Sequence, residues 1–319
     1  MGGHPTQGVA LGCVGPPRWG SDYHAKSDSW TAAMTISTPL FTTHSRHWRD
    51  NRFVYPVISR RSKGLSIGVN LNPDMACNFD CVYCSVDRTK KPTVRSVDLA
   101  GVRAELNHLL AIAVSGAIWN ESPFDRTPPE LRRLNDVAFS GDGEPTSYSG
   151  FLEACRLAAE LIAWHGASAK IVVITNATLL HRPESQEALR FLDTVPSQIW
   201  AKLDAGTDEY FHLIERTKVP LQRVLDNLLL TGKARPIVIQ SMFLRYQNEP
   251  PTAAEITAYI GRLRDLLSGG CQISLVQIYT VARATAEADA TPLSTSEVDA
   301  IVAQVSALGV AAEAYYGPG

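Results

Sequence analysis

Short apolar runs alternate with segments of helical period along most of this chain, and that alternation constrains the fold more than any other feature. Residues 64–71 read as a first strand, 136–140 as a second and the β-branched run 171–174 as a third. Residues 198–203, 237–243 and 273–279 supply three more, and 311–316 a last short one. Between them, Leu99, Val102, Leu106, Leu109 and Ala113 recur at helical spacing. Further helices are expected over 151–164, 184–192, 221–230, 253–267 and 294–308. Strand and helix in strict alternation predict a parallel sheet with crossover helices. Six such units fit a partial (β/α)6 barrel open on one side, an α/β fold. A doubly wound sheet satisfies the same alternation.

Three cysteines, Cys77, Cys81 and Cys84, follow the first strand within eight residues. One loop can place these thiolates around one metal centre. Three ligands leave a tetrahedral or cubane site with an open position, which is a place for chemistry. A disulfide set is disfavoured, because six cysteines in 319 residues are sparse and no secretory signal precedes them. Structural zinc is the serious rival; it usually takes four ligands, and His44 and His47 lie upstream without a standard spacing. Cys13, Cys155 and Cys271 are scattered singly. The second strand ends at Ser140 and opens into Gly141-Asp142-Gly143-Glu144-Pro145-Thr146, a turn that lets backbone approach a ligand closely beside a carboxylate.

With both motifs at strand ends, the chain resembles the radical S-adenosylmethionine (SAM) superfamily. The likeness covers about residues 50–316. The stretches 55–61 and 65–71 also look like the bacterial members related to the wyosine-forming tRNA enzymes. The resemblance implies that Cys77, Cys81 and Cys84 hold three irons of a 4Fe-4S cluster and that SAM chelates the fourth. Tyr83 matches the aromatic residue near the adenine. Gly141, Gly143 and Glu144 match the turn that receives the methionine ammonium, for which a carboxylate and carbonyls are suitable partners. It further implies a reductively generated 5′-deoxyadenosyl radical, an electron donor such as flavodoxin or ferredoxin, and a reducing, cytoplasmic setting. The wyosine-forming enzymes carry extra cysteines for a second cluster; here the remaining cysteines are singletons, and no flavodoxin-like domain is evident.

A barrel puts function at the carboxyl ends of its strands. The candidates there are Thr175 and Asn176, Lys202 and Asp204, Gln240 and Arg245, and Gln277, Tyr279 and Arg283. Related families use the positions of Asn176, Lys202 and Asp204 for the ribose and carboxylate of SAM, although serine is common where Lys202 stands. As ordinary loop-facing caps these residues would need no ligand.

At 45% hydrophobic, the chain can bury a large core, and no run of 18 apolar residues marks a membrane span. Residues 1–33, rich in Gly, Pro and Ser, read as a disordered tail before a catalytic domain over 34–319. Residues 119–133, with three prolines, read as a surface loop or lid. Residues 41–95 carry ten Lys or Arg against four Asp, although the whole chain has a net charge of −2. Arg60, Arg61, Lys90 and Lys91 are therefore expected to rim the barrel mouth. With Trp48, Phe53 and Tyr55 nearby, the segment suits an anionic substrate such as RNA, or it is a solvated rim over packed aromatics. The alternatives to a radical SAM enzyme are a zinc-binding, non-redox α/β protein and a non-catalytic nucleic-acid-binding module.

Overall fold

The computed structural model describes residues Trp48–Gly317. The expectations for residues 1–33, Cys13, His44 and His47 lie outside the described residues.

An antiparallel hairpin opens the sheet. β1 (Val54–Ser59) pairs with β2 (Gly64–Val69) in the register Val54 opposite Val69. From β2 onward every neighbour in this sheet is parallel: β3 (Leu134–Phe139), β4 (Lys170–Thr175), β5 (Ser197–Lys202), β6 (Ile237–Met242), β8 (Ile273–Tyr279) and β10 (Ala312–Tyr315). β7 (Leu244–Tyr246) and β9 (Ala290–Pro292) form a small separate pair. The eight-stranded order is β1-β2-β3-β4-β5-β6-β8-β10, with no reversal. A doubly wound sheet reverses its order at a switch point. The sequential order is instead that of a curled half-barrel.

Helices cover the outside: α1 (Leu99–Val114), α2 (Phe151–Trp164), α3 (Pro183–Leu192), α4 (Asp208–Glu215), α5 (Leu221–Ala234), α6 (Ala253–Ser268) and α7 (Thr295–Ser306). Strands between helices and barrel interior are buried on both faces, hence their apolar runs. In β4, Val172 faces inward and packs with Ala138, Trp200 and Val238, while Ile171 and Val173 are buried on the alternate positions. On the outer layer Phe139 packs edge-on against Phe151 of α2, their ring centroids 5.6 Å apart. Full burial of a side chain this size contributes about 1.5–3 kcal/mol.

Four elements were not expected: β1, the small pair β7 and β9, and α4. β1 carries Pro56, which an edge strand tolerates because one row of its N–H groups has no sheet partner. α4 starts at Thr207, whose hydroxyl accepts the Tyr210 N–H, and Asp208 and Glu209 fill its first turn. That is an ordinary helix-start signal. Residues 119–133 are largely exposed, as a surface loop would be, but they are not a lid over the cysteine loop. They form short 3-10 turns that bury Ile118, Phe124 and Leu131 and lead into the amino end of β3, away from the cysteine loop.

The open side of the barrel is crossed by the β1–β2 turn. Lys63 Nζ lies 3.1 Å from Glu313 Oε1 in β10, and the Arg60 guanidinium donates to the Tyr316 carbonyl. No described helix is long and apolar enough to cross a membrane.

Candidate functional site

The cysteine loop leaves β2 at the carboxyl end of the sheet and is pinned by backbone bonds to a helix that the sequence had not revealed. Asp80 N–H donates to the Glu215 carbonyl at 3.0 Å, and Val82 N–H to the Ile214 carbonyl at 2.9 Å, both at the end of α4. On its other flank, Asn78 Oδ1 accepts from Asn176 Nδ2 and Asn78 Nδ2 donates to Thr178, each at 2.7 Å. Asn176 ends β4, so one expected site residue holds the loop in place. Arg88 donates to the Asp142 carbonyl at 3.0 Å and lies 3.7 Å from Cys84 Sγ.

Cys77, Cys81 and Cys84 all line one cavity of about 310 Å³. Gly141, Gly143 and Glu144 line the same cavity, as do Tyr83, Asn176 and Lys202. Gly143 is required by close approach: a side-chain carbon there would overlap the Ala76 carbonyl oxygen and press on Asn72. The glycine turn and the cysteine loop are thus in backbone contact. The Glu144 carboxylate is buried and ties two strand ends together. Its Oε1 accepts from Thr146 N at 3.1 Å, Thr146 Oγ1 at 2.5 Å and Thr175 Oγ1 at 2.7 Å; its Oε2 accepts from Asn176 N at 2.7 Å. Burial raises its pKa, against the pull of those donors. A single donor on Oε2 among the described residues leaves lone-pair capacity toward the cavity.

Beside the cysteines lies a buried charge network. Lys202 Nζ sits 2.8 Å from Asp204 Oδ2, donates to Tyr279 Oη at 3.1 Å and lies 4.4 Å from the centre of the Tyr83 ring. The Tyr83 hydroxyl donates to Asp204 Oδ2 at 2.5 Å and lies 3.0 Å from Glu215 Oε1. Cys81 Sγ is 2.5 Å from Glu215 Oε2. Burial opposes the Lys202 ammonium, but the Asp204 carboxylate outweighs it and holds the lysine charged. Burial would lift Asp204 too, yet Lys202 keeps it below the ordinary carboxylate range. Burial, then the neighbouring Asp204, pushes Glu215 well above the ordinary carboxylate range.

Not every strand-end candidate reaches the cavity. Gln240, Tyr279, Thr175 and Arg283 line it; Asp204, Gln277 and Arg245 do not. Asp204 is spent on Lys202, Tyr83 and the Met242 N–H. Gln277 accepts from Gln240, and Arg245 is paired with Glu297 at 2.5 Å. The basic rim also divides. Arg60 and Arg61 line the cavity, whereas Lys90 and Lys91 are exposed away from it, with Lys90 paired to Asp87. Trp48 and Phe53 are buried, Trp48 edge-on against Phe124, and are not free to stack on bases. Cys155 is buried within α2, and Cys271 is buried at the amino end of β8 beside Gly232, remote from the cysteine loop.

Three thiolates on one cavity wall are a donor set that a polynuclear cluster can use. Each thiolate of a cubane binds a different iron, so the sulfurs need only share a wall. Among the described residues, no three His, Cys, Asp or Glu side chains converge on one metal-ion position.

No family model matches the sequence. A UPF0026 protein of Helicobacter pylori is 30% identical over 176 residues, which is 54% of this chain and 49% of that protein. The chain spans about half the length of its Helicobacter pylori relatives. Among solved structures, a radical SAM methyltransferase from Sphaerobacter thermophilus superposes with a TM-score of 0.57 at 14% identity, over 83% of this chain and 70% of that one. A structure of TYW1 with a lysine–pyruvate adduct covers 88% of this chain and 81% of its own at 15% identity, with a TM-score of only 0.47. The fold is therefore the partial α/β barrel of the radical SAM enzymes.

Proposed function

We propose that this protein is a radical SAM enzyme. The observation that carries the reading is that the three cysteines of one loop and the Gly141–Glu144 turn, delivered by adjacent parallel strands, line one cavity. Cys77, Cys81 and Cys84 would hold a 4Fe-4S cluster, and the turn would receive the methionine end of SAM. When bound, that pair of groups supplies reductive cleavage of a sulfonium to a 5′-deoxyadenosyl radical.

The chain's own part is to bind, orient and exclude water. Gly143 allows the backbone to close on the cysteine loop. Glu144 Oε2 offers an anionic acceptor to an ammonium, and its other bonds keep it from turning away. Asn176 both fastens the cysteine loop and borders the cavity, where a ribose or carboxylate can meet it. Lys202 presents a fixed cation for a carboxylate. Asp204 acts through Tyr83 and Lys202, fixing the aromatic ring that would face the adenine. An electron donor such as flavodoxin or ferredoxin, and a reducing cytoplasmic setting, follow from this chemistry. Trp48 and Phe53 are buried and so are not free to stack on the bases of an RNA substrate, which favours a small molecule.

Anaerobic reconstitution tests the reading. The expected protein is brown, holds about four irons and releases 5′-deoxyadenosine from SAM on reduction. Tight zinc with no SAM cleavage would leave the metal-binding, non-redox alternative.

A further inference from the structure

The cavity continues past the cysteine loop to an end that the cofactor reading leaves unused. There, two opposite charges face the same space without pairing. Asp136, on β3, is fully buried. The Ser66 hydroxyl donates to its Oδ1 at 2.5 Å, and Ser62, Lys170 and Arg61 stand near enough to favour its charged form against burial, yet its Oδ2 has no partner at hydrogen-bond geometry and no ion pair reaches it among the described residues. Arg61, in the turn that crosses the barrel seam, stacks its guanidinium on the Tyr279 ring at 4.8 Å. Among the described residues it makes no hydrogen bond or ion pair. Gln240 adds a second buried, unpartnered acceptor: its Nε2 donates to Gln277 at 2.6 Å, and its Oε1 has no partner. All three side chains line the cavity.

Unpaired buried polar atoms are costly, so a fold that only needed stability would join these groups or replace them. Here Ser66 and strand β3 hold the carboxylate, while stacking on β8 holds the guanidinium. We propose that this end of the cavity is a substrate subsite for a small zwitterion, with Arg61 taking its carboxylate and Asp136, assisted by Gln240, taking its ammonium. The inference rests on the radical SAM reading only for calling the ligand a substrate. A guanidinium presents a planar fork that suits a carboxylate, and a buried carboxylate oxygen with free lone pairs suits an ammonium. Arg60 beside it is engaged with the Tyr316 carbonyl and adds positive potential at the same end. Burial and the neighbouring Arg61 bring the Arg60 pKa down to about 10, as expected where two cations share one wall. Enclosure within the barrel favours a free small molecule over a macromolecule.

The test uses the reconstituted protein and a ruler of ω-amino acids: glycine, 4-aminobutyrate and 6-aminohexanoate. Butyrate and butylammonium are the single-charge controls. Ligand-observed NMR and calorimetry read binding directly, without turnover. One member of the series should bind about tenfold or more tighter than either control. Arg61→Gln should weaken that zwitterion by about tenfold or more and leave butylammonium little changed, and Asp136→Asn should show the reverse preference. If Asp136→Asn fails to fold by circular dichroism, Arg61→Gln in the turn decides alone. No binding by any of the series, or equal binding by Arg61→Gln and parent, overturns the subsite. 5′-Deoxyadenosine release by the parent is measured in parallel. Its absence with zwitterion binding intact rejects the cofactor reading and keeps the subsite, and its presence without binding does the opposite.

Discussion

Replacing Glu144 should reveal how much of the site is held together by one carboxylate. Four donors converge on it, two hydroxyls and two backbone N–H groups. In Glu144→Ala the Thr146 and Thr175 hydroxyls can rotate to other acceptors, but the Thr146 and Asn176 N–H groups cannot. Each buried N–H left unpaired costs about 1–3 kcal/mol. Removing a poorly solvated buried carboxylate returns part of that, so a net loss of roughly 2–4 kcal/mol is expected. Glu144→Gln keeps the shape, but its amide nitrogen must face one of the two backbone N–H groups whichever way it is turned. Its cost should be about half, roughly 1–2 kcal/mol. Anaerobic urea unfolding of parent and both variants reads these differences as shifts in midpoint at constant slope. Calorimetry should then show SAM binding weakened by about tenfold or more in Glu144→Ala, with the cluster still assembled. An alanine midpoint equal to that of the parent, or a glutamine variant as unstable as alanine, would refute the argument from hydrogen bonds. Unchanged SAM affinity would remove Glu144 from the site.

Iron and sulfide assays should find the cluster lost in Cys77→Ala, Cys81→Ala and Cys84→Ala and kept in Cys155→Ala and Cys271→Ala; iron lost in Cys271→Ala but kept in Cys81→Ala would overturn the ligand assignment. Gly143→Ala forces a methyl group into the Ala76 carbonyl, so it should destabilise the fold by about 1–3 kcal/mol and lower the iron content of the loop it displaces. At α7, Ser294 and Glu297 form a reciprocal cap, and Ser294→Ala should cost about 1 kcal/mol in urea unfolding at neutral pH. Hydrogen bonds from Ser294 hold the folded Glu297 pKa below its unfolded value. The cap is therefore at full strength above the unfolded carboxylate range and fades as pH falls through the folded pKa, so the gap between parent and variant should narrow in acid.

The barrel was legible because its strands are buried on both faces. Runs such as 171–174 cannot be mistaken for exposed hairpins, and their spacing leaves room for one helix each. The cysteine and glycine motifs were legible because both chemistries need fixed local spacing. What the sequence hid depends on distance along the chain. Glu215 stands beside Cys81 across 134 residues, and its helix was missed although Thr207 and the acids after it mark the start. Asp136 looked like an ordinary strand residue, since nothing local says that Ser66, on the neighbouring strand, supports one of its oxygens inside the cavity. Arg60, Arg61, Lys90 and Lys91 were grouped as one rim; Arg60 and Arg61 line the cavity and Lys90 and Lys91 do not, because net charge along a sequence carries no direction. Trp48 and Phe53 show the same limit: an aromatic among basic residues can stack on a base or on Phe124, and only packing decides.

The seam across the barrel also sets an order of events in synthesis. Lys63 and Glu313 are 250 positions apart. The hairpin that carries Arg61 is among the first parts of the barrel to leave the ribosome, and β10 is the last strand to do so. At about 5–20 residues per second, the interval is roughly ten to fifty seconds. Through that time the hairpin turn lacks its partners, and the edges of β1 and the growing sheet lie open. Such long-range closure is slow for reasons of chain entropy alone. The wall that holds the unpaired guanidinium is thus among the last parts of the barrel to be completed.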